Sequence, residues 1–152
     1  MVTIAELEQY MFNLINQSRA AGGLVAYTSN ATLATVARDH SNLLLKTDPK
    51  KGCVNDHQCN APGEPGEPDP ATCVRNAGVT FTQRRENVGY AWEEPTFDPF
   101  AGLRTIHYDI FMKEGPGGGH YDAIMSSTLE QVGVGVAFDG NHIWATEDFI
   151  KP

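Results

Sequence analysis

The chain has 152 residues, a length that fits one domain over residues 1–152 and lets a fold bury roughly 68–70% of the surface exposed when unfolded. With 41% hydrophobic and 20% charged residues, its composition is that of an ordinary globular domain and excludes a disordered or fibrous chain. A formal charge of −8, from 11 Lys and Arg against 19 Asp and Glu, repels a phosphate backbone and argues against nucleic acid as a partner.

No apolar run approaches the ~20 residues needed to span a bilayer, so the chain is not expected to cross one. Residues 1–6 carry neither the basic flank nor the apolar block of a signal peptide. Thr3 and Glu6 stand at capping-box spacing, and Leu7, Tyr10, Met11, Leu14, Ile15 and Ser18 recur every three or four positions. They predict a helix over 3–20, with Gly22-Gly23 as its exit. Asn30 caps a second predicted helix with the face Leu33, Val36, Ala37, His40 and Leu44, ending near Thr47. His40 reads as a core histidine.

From 48 to 72, Pro62, Pro65, Pro68 and Pro70 alternate with glycines and acids, which reads as one long loop. Loops of this length in compact domains are usually functional. All three cysteines, Cys53, Cys59 and Cys73, fall in or beside it. Such clustered thiols point to an oxidising, secreted setting with one disulfide, and Cys59–Cys73 is slightly favoured over Cys53–Cys59. The rival reading is a structural zinc knot of Cys53, His57, Cys59 and Cys73, although the C-x-x-C spacing is missing.

A short strand is predicted over 87–91 and a third helix over 100–114, closed by Gly115-Pro116-Gly117-Gly118-Gly119. The alternation of 131–138, the Asp139-Gly140 turn and the run 143–149 form a hairpin. Helices and strands without regular β-α-β order predict an α+β layered domain with a mainly antiparallel sheet. On a helical wheel Glu114 lands amid Leu103, Ile106, Ile110 and Phe111, with His107 nearby. A buried carboxylate there needs a cation, a metal or donors. His120 follows a glycine-rich bend able to wrap a pocket, with a plain hinge as the alternative, and the absence of G-x-x-x-x-G-K-[ST] in a segment that follows a helix argues against nucleotide binding. Glu86 sits between arginines and an apolar strand, where local pairing is the simple explanation, and His142 beside the hairpin turn reads as exposed.

Read in order, these segments resemble the CAP superfamily of cysteine-rich secretory, antigen 5 and pathogenesis-related proteins, its bacterial branch above all. The segments are Leu14-Ile15-Asn16-Gln17-Ser18-Arg19 with Gly23-Leu24, Ala37-Arg38-Asp39-His40-Ser41, Arg75-Asn76-Ala77-Gly78-Val79, Glu86-Asn87-Val88-Gly89-Tyr90-Ala91, Gly119-His120-Tyr121, Val132-Gly133-Val134-Gly135 and Glu147-Asp148-Phe149. The resemblance implies an α-β-α sandwich with a central sheet of three to four strands. It also implies a cavity in which His57, His120, Glu86 and Glu114 hold a divalent metal, commonly zinc. At the second glutamate the family pattern is altered, since Phe111 replaces a Trp and only five residues separate Glu114 from His120.

Two neutral imidazoles and two carboxylates are also the parts of a metal-assisted hydrolase, with Glu86 or Glu114 as proton acceptor. H-E-x-x-H and a convincing G-x-S-x-G are both absent. The expectation is therefore a secreted, monomeric binding protein for a small-molecule, lipid or peptide ligand. A hydrolase and a metal-free structural module are the alternatives.

Overall fold

The computed structural model describes residues 1–47, 57, 69–92 and 98–152. The expected Cys59–Cys73 or Cys53–Cys59 bridge and the zinc knot involve Cys53 and Cys59, which lie outside the described residues.

Helix α1 (Ile4–Ala21) starts as its capping box requires: Glu6 N–H donates to Thr3 Oγ1 at 3.1 Å, and Thr3 N–H donates to Glu6 Oε2 at 3.2 Å. Leu7, Met11, Leu14 and Ile15 form its buried face. In its last turn the Arg19 guanidinium donates to the carbonyls of Val25, Ile124 and Ser126 at 2.7–2.9 Å, fastening two distant loops. A two-residue strand, β1 (Thr28–Ser29), precedes α2 (Ala31–Thr47), whose first turn is held by Leu33 N–H donating to Asn30 Oδ1 at 3.0 Å.

Helix α3 (Pro70–Asn76) begins inside the segment read from sequence as loop. Pro70 occupies a first-turn position, where its missing N–H costs nothing, and Asp69 caps the turn by accepting from Thr72 N–H. Read only as a breaker, this proline hid a helix start. Strand β2 (Gln83–Trp92) is twice the predicted length.

The third predicted helix is three windings in series: α4 (Pro99–Arg104), a π-helical segment (Thr105–Phe111) and a 3-10 turn (Met112–Glu114). A wheel drawn at 3.6 residues per turn fails across wider π winding. Ile110, placed on the apolar face from sequence, is exposed, and Glu114 lies outside the core. His107 takes the interior position instead. After the glycines, α5 (Gly119–Ile124) was not foreseen. The predicted hairpin is β3 (Gln131–Phe138) with β4 (His142–Lys151).

The sheet order is β1-β3-β4-β2, with β1 parallel to β3 and the other pairs antiparallel, so the architecture is α+β with β2 at an edge. Helix α2 covers one face, where Leu44 packs on Val88 and Trp144, and Leu33 lies with Val74 and Ile150. Helices α1, α4 and α5 and the π segment cover the other, over a core that includes Met11, Ile15, Ile106, Phe111 and Phe149. The Gly133 and Gly135 of β3 explain the closeness of α2. A Cβ at Gly133 would stand 2.3 Å from Ala34 N, and one at Gly135 would stand 1.9 Å from Arg38 N, so the helix rests directly on strand backbone.

Candidate functional site

Alternation along β2 turns neighbouring side chains to opposite faces of the sheet. Glu86 stands opposite Asp148 of β4, on the α2 side, two positions from Thr146, which shares a 2.9 Å hydrogen bond with Ser41 of α2. Asn87 stands opposite Glu147 and faces the other way, as does Gly89, which lies against Ile106 and Phe111. The Glu-Asn pair thus serves both layers from one strand.

On the α2 side, Glu86 is buried, its side chain only 4% exposed, and His57 Nδ1 lies 2.8 Å from Glu86 Oε1. A carboxylate accepts, so Nδ1 carries the proton and Nε2 keeps its lone pair when the ring is neutral. Asp148 lies beside Glu86. Burial first, then the charge and hydrogen bonding of Glu86, push the Asp148 carboxyl well above the usual range, against weaker pulls from His40 and Arg84. Two carboxyls side by side in the interior disfavour joint ionisation, which is the direction in which Asp148 is pushed. The structure adds Asp148 to the set, and sequence reasoning saw it only as part of a closing motif. His40 is buried in α2, as expected of a core histidine.

On the other side, Glu114 is held by three donors. Its Oε1 accepts from His120 N–H at 2.9 Å and Tyr121 N–H at 3.3 Å, and its Oε2 lies 2.6 Å from His120 Nδ1. Burial works to raise this carboxyl, but His120 and the two amides hold it below the ordinary glutamate range. Glu114 therefore caps α5 and orients its first imidazole. The His120 ring stacks on Phe111, centroids 4.6 Å apart at 16°. Gly118 makes room for this, since a Cβ there would stand 2.4 Å from Glu114 Cβ. The carbonyl of His120 accepts from Asn87 Nδ2 at 3.1 Å, and the same amide donates to Glu147 Oε1 at 3.1 Å. Glu147 is fully buried, which pushes its carboxyl up to about 8 despite Asn87. Asn87 and Glu147 are positioning residues that the sequence showed only as motif letters.

The four sequence-predicted residues thus form two pairs flanking the edge strand, His57 with Glu86 and His120 with Glu114. Among the described residues no three His, Cys, Asp or Glu side chains group as a metal ion requires. The donor chemistry does suit a metal in another respect. Each glutamate engages Nδ1 of its histidine, the arrangement in which a carboxylate orients a ligating imidazole. A cleft of about 340 Å³ between α1 and α2, walled by the Glu8–Arg38 ion pair, includes none of these four residues in its lining. His142, read as exposed, is instead half-buried, with Nδ1 2.9 Å from Asp139 Oδ2.

The chain is thus an α+β sandwich whose edge strand bears Glu-Asn beside a glutamate-capped Gly-His turn. The sequence profile of the cysteine-rich secretory protein (CAP) family matches residues 12–149, and the chain belongs to that family. No curated protein sequence matches it. Among solved structures it is similar to an outer surface protein of Borrelia burgdorferi, at 16% identity and TM-score 0.70, covering 99% of this chain and 96% of that one. It is also similar to an extracellular protein containing an SCP domain from Bacillus anthracis, at 18% identity and TM-score 0.62, covering 100% of this chain and 45% of that one. A cysteine-rich secretory protein of Staphylococcus aureus matches at 18% identity and TM-score 0.62, over 99% of this chain and 40% of that one. The chain therefore spans less than half the length of the Bacillus and Staphylococcus proteins. No helix among the described residues is long and apolar enough to cross a membrane.

Proposed function

We propose that this chain is an extracytoplasmic binding module whose imidazoles, His57 and His120, take a divalent metal, zinc foremost, through their Nε2 atoms. The observation that carries this reading is the matched pair of Nδ1 contacts, 2.8 Å to Glu86 and 2.6 Å to Glu114. A carboxylate accepts, so these contacts support the tautomer with hydrogen on Nδ1, and in this reading Nε2 is the ligating atom of each ring. Bound zinc would supply a Lewis acid on which a ligand donor atom settles. In this reading the glutamates stand behind the imidazoles and do not ligate. The extracellular and outer-surface descriptions of the Bacillus and Borrelia proteins support an extracytoplasmic setting for this one.

Binding is favoured over hydrolysis by the state of the carboxylates. A general base must accept a proton from water. Glu114 already accepts from three donors, and Glu86 is buried against His57 and Asp148. Neither is placed to serve.

The test is zinc titration by calorimetry on the wild type, His57→Ala, His120→Ala and the double variant. Affinity should fall as pH drops below about 6.5, where imidazole protonates. It should weaken in each single variant and vanish in the double. Zinc binding unchanged in the double variant would overturn the reading and favour the metal-free structural module.

A further inference from the structure

At the far end of β2 from Arg84, the α2 face of the sheet carries a row of rings. Tyr90 and Trp144 are directly opposed across the strands, as are Trp92 and His142. Centroids are 4.9 Å apart for Tyr90–Trp144, and 6.3 Å apart for both Tyr90–His142 and Trp92–His142. The row grades from core to surface: Trp144 is fully buried, Tyr90 and His142 are half-buried, and Trp92 is 54% exposed. Trp92 lies six residues beyond Glu86 along the strand, roughly 20 Å at 3.3–3.4 Å per residue, so the row is separate from the His–Glu pairs.

We infer that this row is a carbohydrate platform that stacks a neutral pyranose of a glycan on Trp92 and His142. The simpler account, cross-strand ring pairing for stability, explains Tyr90 and Trp144 but gives no reason to leave an indole in water. The polar groups beside the rings suit a sugar. Asp139 accepts from Asn141 N–H and His142 N–H through Oδ1, and from His142 through Nδ1. Among the described residues its Oδ2 meets that imidazole, on a side chain 41% exposed, and can accept from a hydroxyl. With Nδ1 engaged, His142 Nε2 remains as a second hydrogen-bonding atom at the ring edge. A pyranose presents apolar C–H groups on its face and hydroxyls at its rim, and the row offers an aromatic face with acceptors at its margin.

Charge narrows the class. The chain carries −8 and Asp139 stands at the platform, which disfavours phosphorylated, sulfated or sialylated partners and anionic lipid. Quaternary ammonium groups are enclosed by aromatic walls, whereas here the rings follow one another along a single sheet face.

The experiment uses the full chain and two neutral trisaccharides, triacetylchitotriose and cellotriose, followed by NMR shifts of the Trp92 indole and His142 ring. At least one should give a saturable shift in the millimolar range. Its dissociation constant should rise about tenfold or more in Trp92→Ala and less than about threefold in Trp92→Phe. The melting temperature of Trp92→Ala should stay close to wild type, because this side chain is exposed. No saturable shift with either trisaccharide overturns the platform. So does an affinity that Trp92→Ala leaves intact, or a saturable shift at both rings with tetramethylammonium alone.

Discussion

On the α2 side of the sheet the helix lies on bare strand backbone at Gly133 and Gly135, while on the opposite side a layer of Met, Ile, Leu and Phe side chains separates helices from strands. The thin seam tolerates no added volume, yet it accommodates polar groups that satisfy one another, such as Ser41 with Thr146 and His57 with Glu86. The thick layer has volume to rearrange, but its polar members Glu147 and His107, bonded to Asn87 and Ser18 respectively, sit far from water. Steric and electrostatic sensitivity therefore reside on different faces, and the His–Glu pairs inherit that difference. Glu86 shares its surroundings with a second carboxyl, whereas Glu114 faces three donors.

The largest effect should come from volume in the seam. Gly135→Ala sets a Cβ against the backbone of Ala37 and Arg38, with α2 unable to retreat without losing Leu33 and Leu44 from the core. A loss exceeding about 4 kcal/mol in denaturant unfolding is expected. A loss below about 1 kcal/mol would mean that α2 does not rest on β3 as described.

Charge in the thick layer comes next. Glu147 titrates near its ordinary 4.5 when unfolded and at about 8 when folded. Between those values the folded state binds the extra proton, so stability is full below pH 4.5 and is lost as pH rises through about 8. Asp148 acts in the same direction. His107, lowered by burial to about 4, acts oppositely and only in acid, its contribution being lost as pH falls from 6.5 through 4. Glu147→Gln keeps an acceptor for Asn87 and should be more stable than wild type at pH 8, on the order of a few kcal/mol, with little difference at pH 4.5. Parallel pH profiles of the two proteins would remove Glu147 as the cause.

A smaller contrast lies at the α5 cap. Gly118→Ala displaces Glu114 and should cost about 1–3 kcal/mol, since three bonds to one carboxylate are disturbed. Gly119→Ala meets nothing within 4 Å and should change stability by less than about 0.5 kcal/mol. Equal effects in thermal unfolding would contradict the cap.

Much of this was legible in the sequence for identifiable reasons. The capping box of α1, the alternation of β3 and the ordered motifs each depend on local spacing, and the family and the sheet follow from them, whereas the motifs named His57, Glu86, Glu114 and His120 as one cavity and gave no sign of their pairing. What was hidden depends on winding or on three dimensions. A π segment is invisible to a 3.6-residue wheel, which set Glu114 and Ile110 on the apolar face and His107 only beside it. Pro70 reads equally as a helix breaker and a helix start. Glu147 and Asp148 are adjacent acids on a strand buried on both faces, and a run of that kind signals two interior carboxyls once the alternation is taken literally.

The most direct test of the account is the tautomer of the two imidazoles, read from long-range proton–nitrogen NMR correlations above their titration and repeated with zinc. The account predicts that His57 and His120 both carry hydrogen on Nδ1, held by Glu86 and Glu114, and that zinc shifts the Nε2 resonances of both rings. Hydrogen on Nε2 in either ring, or zinc shifts confined to other histidines such as His142, would contradict it.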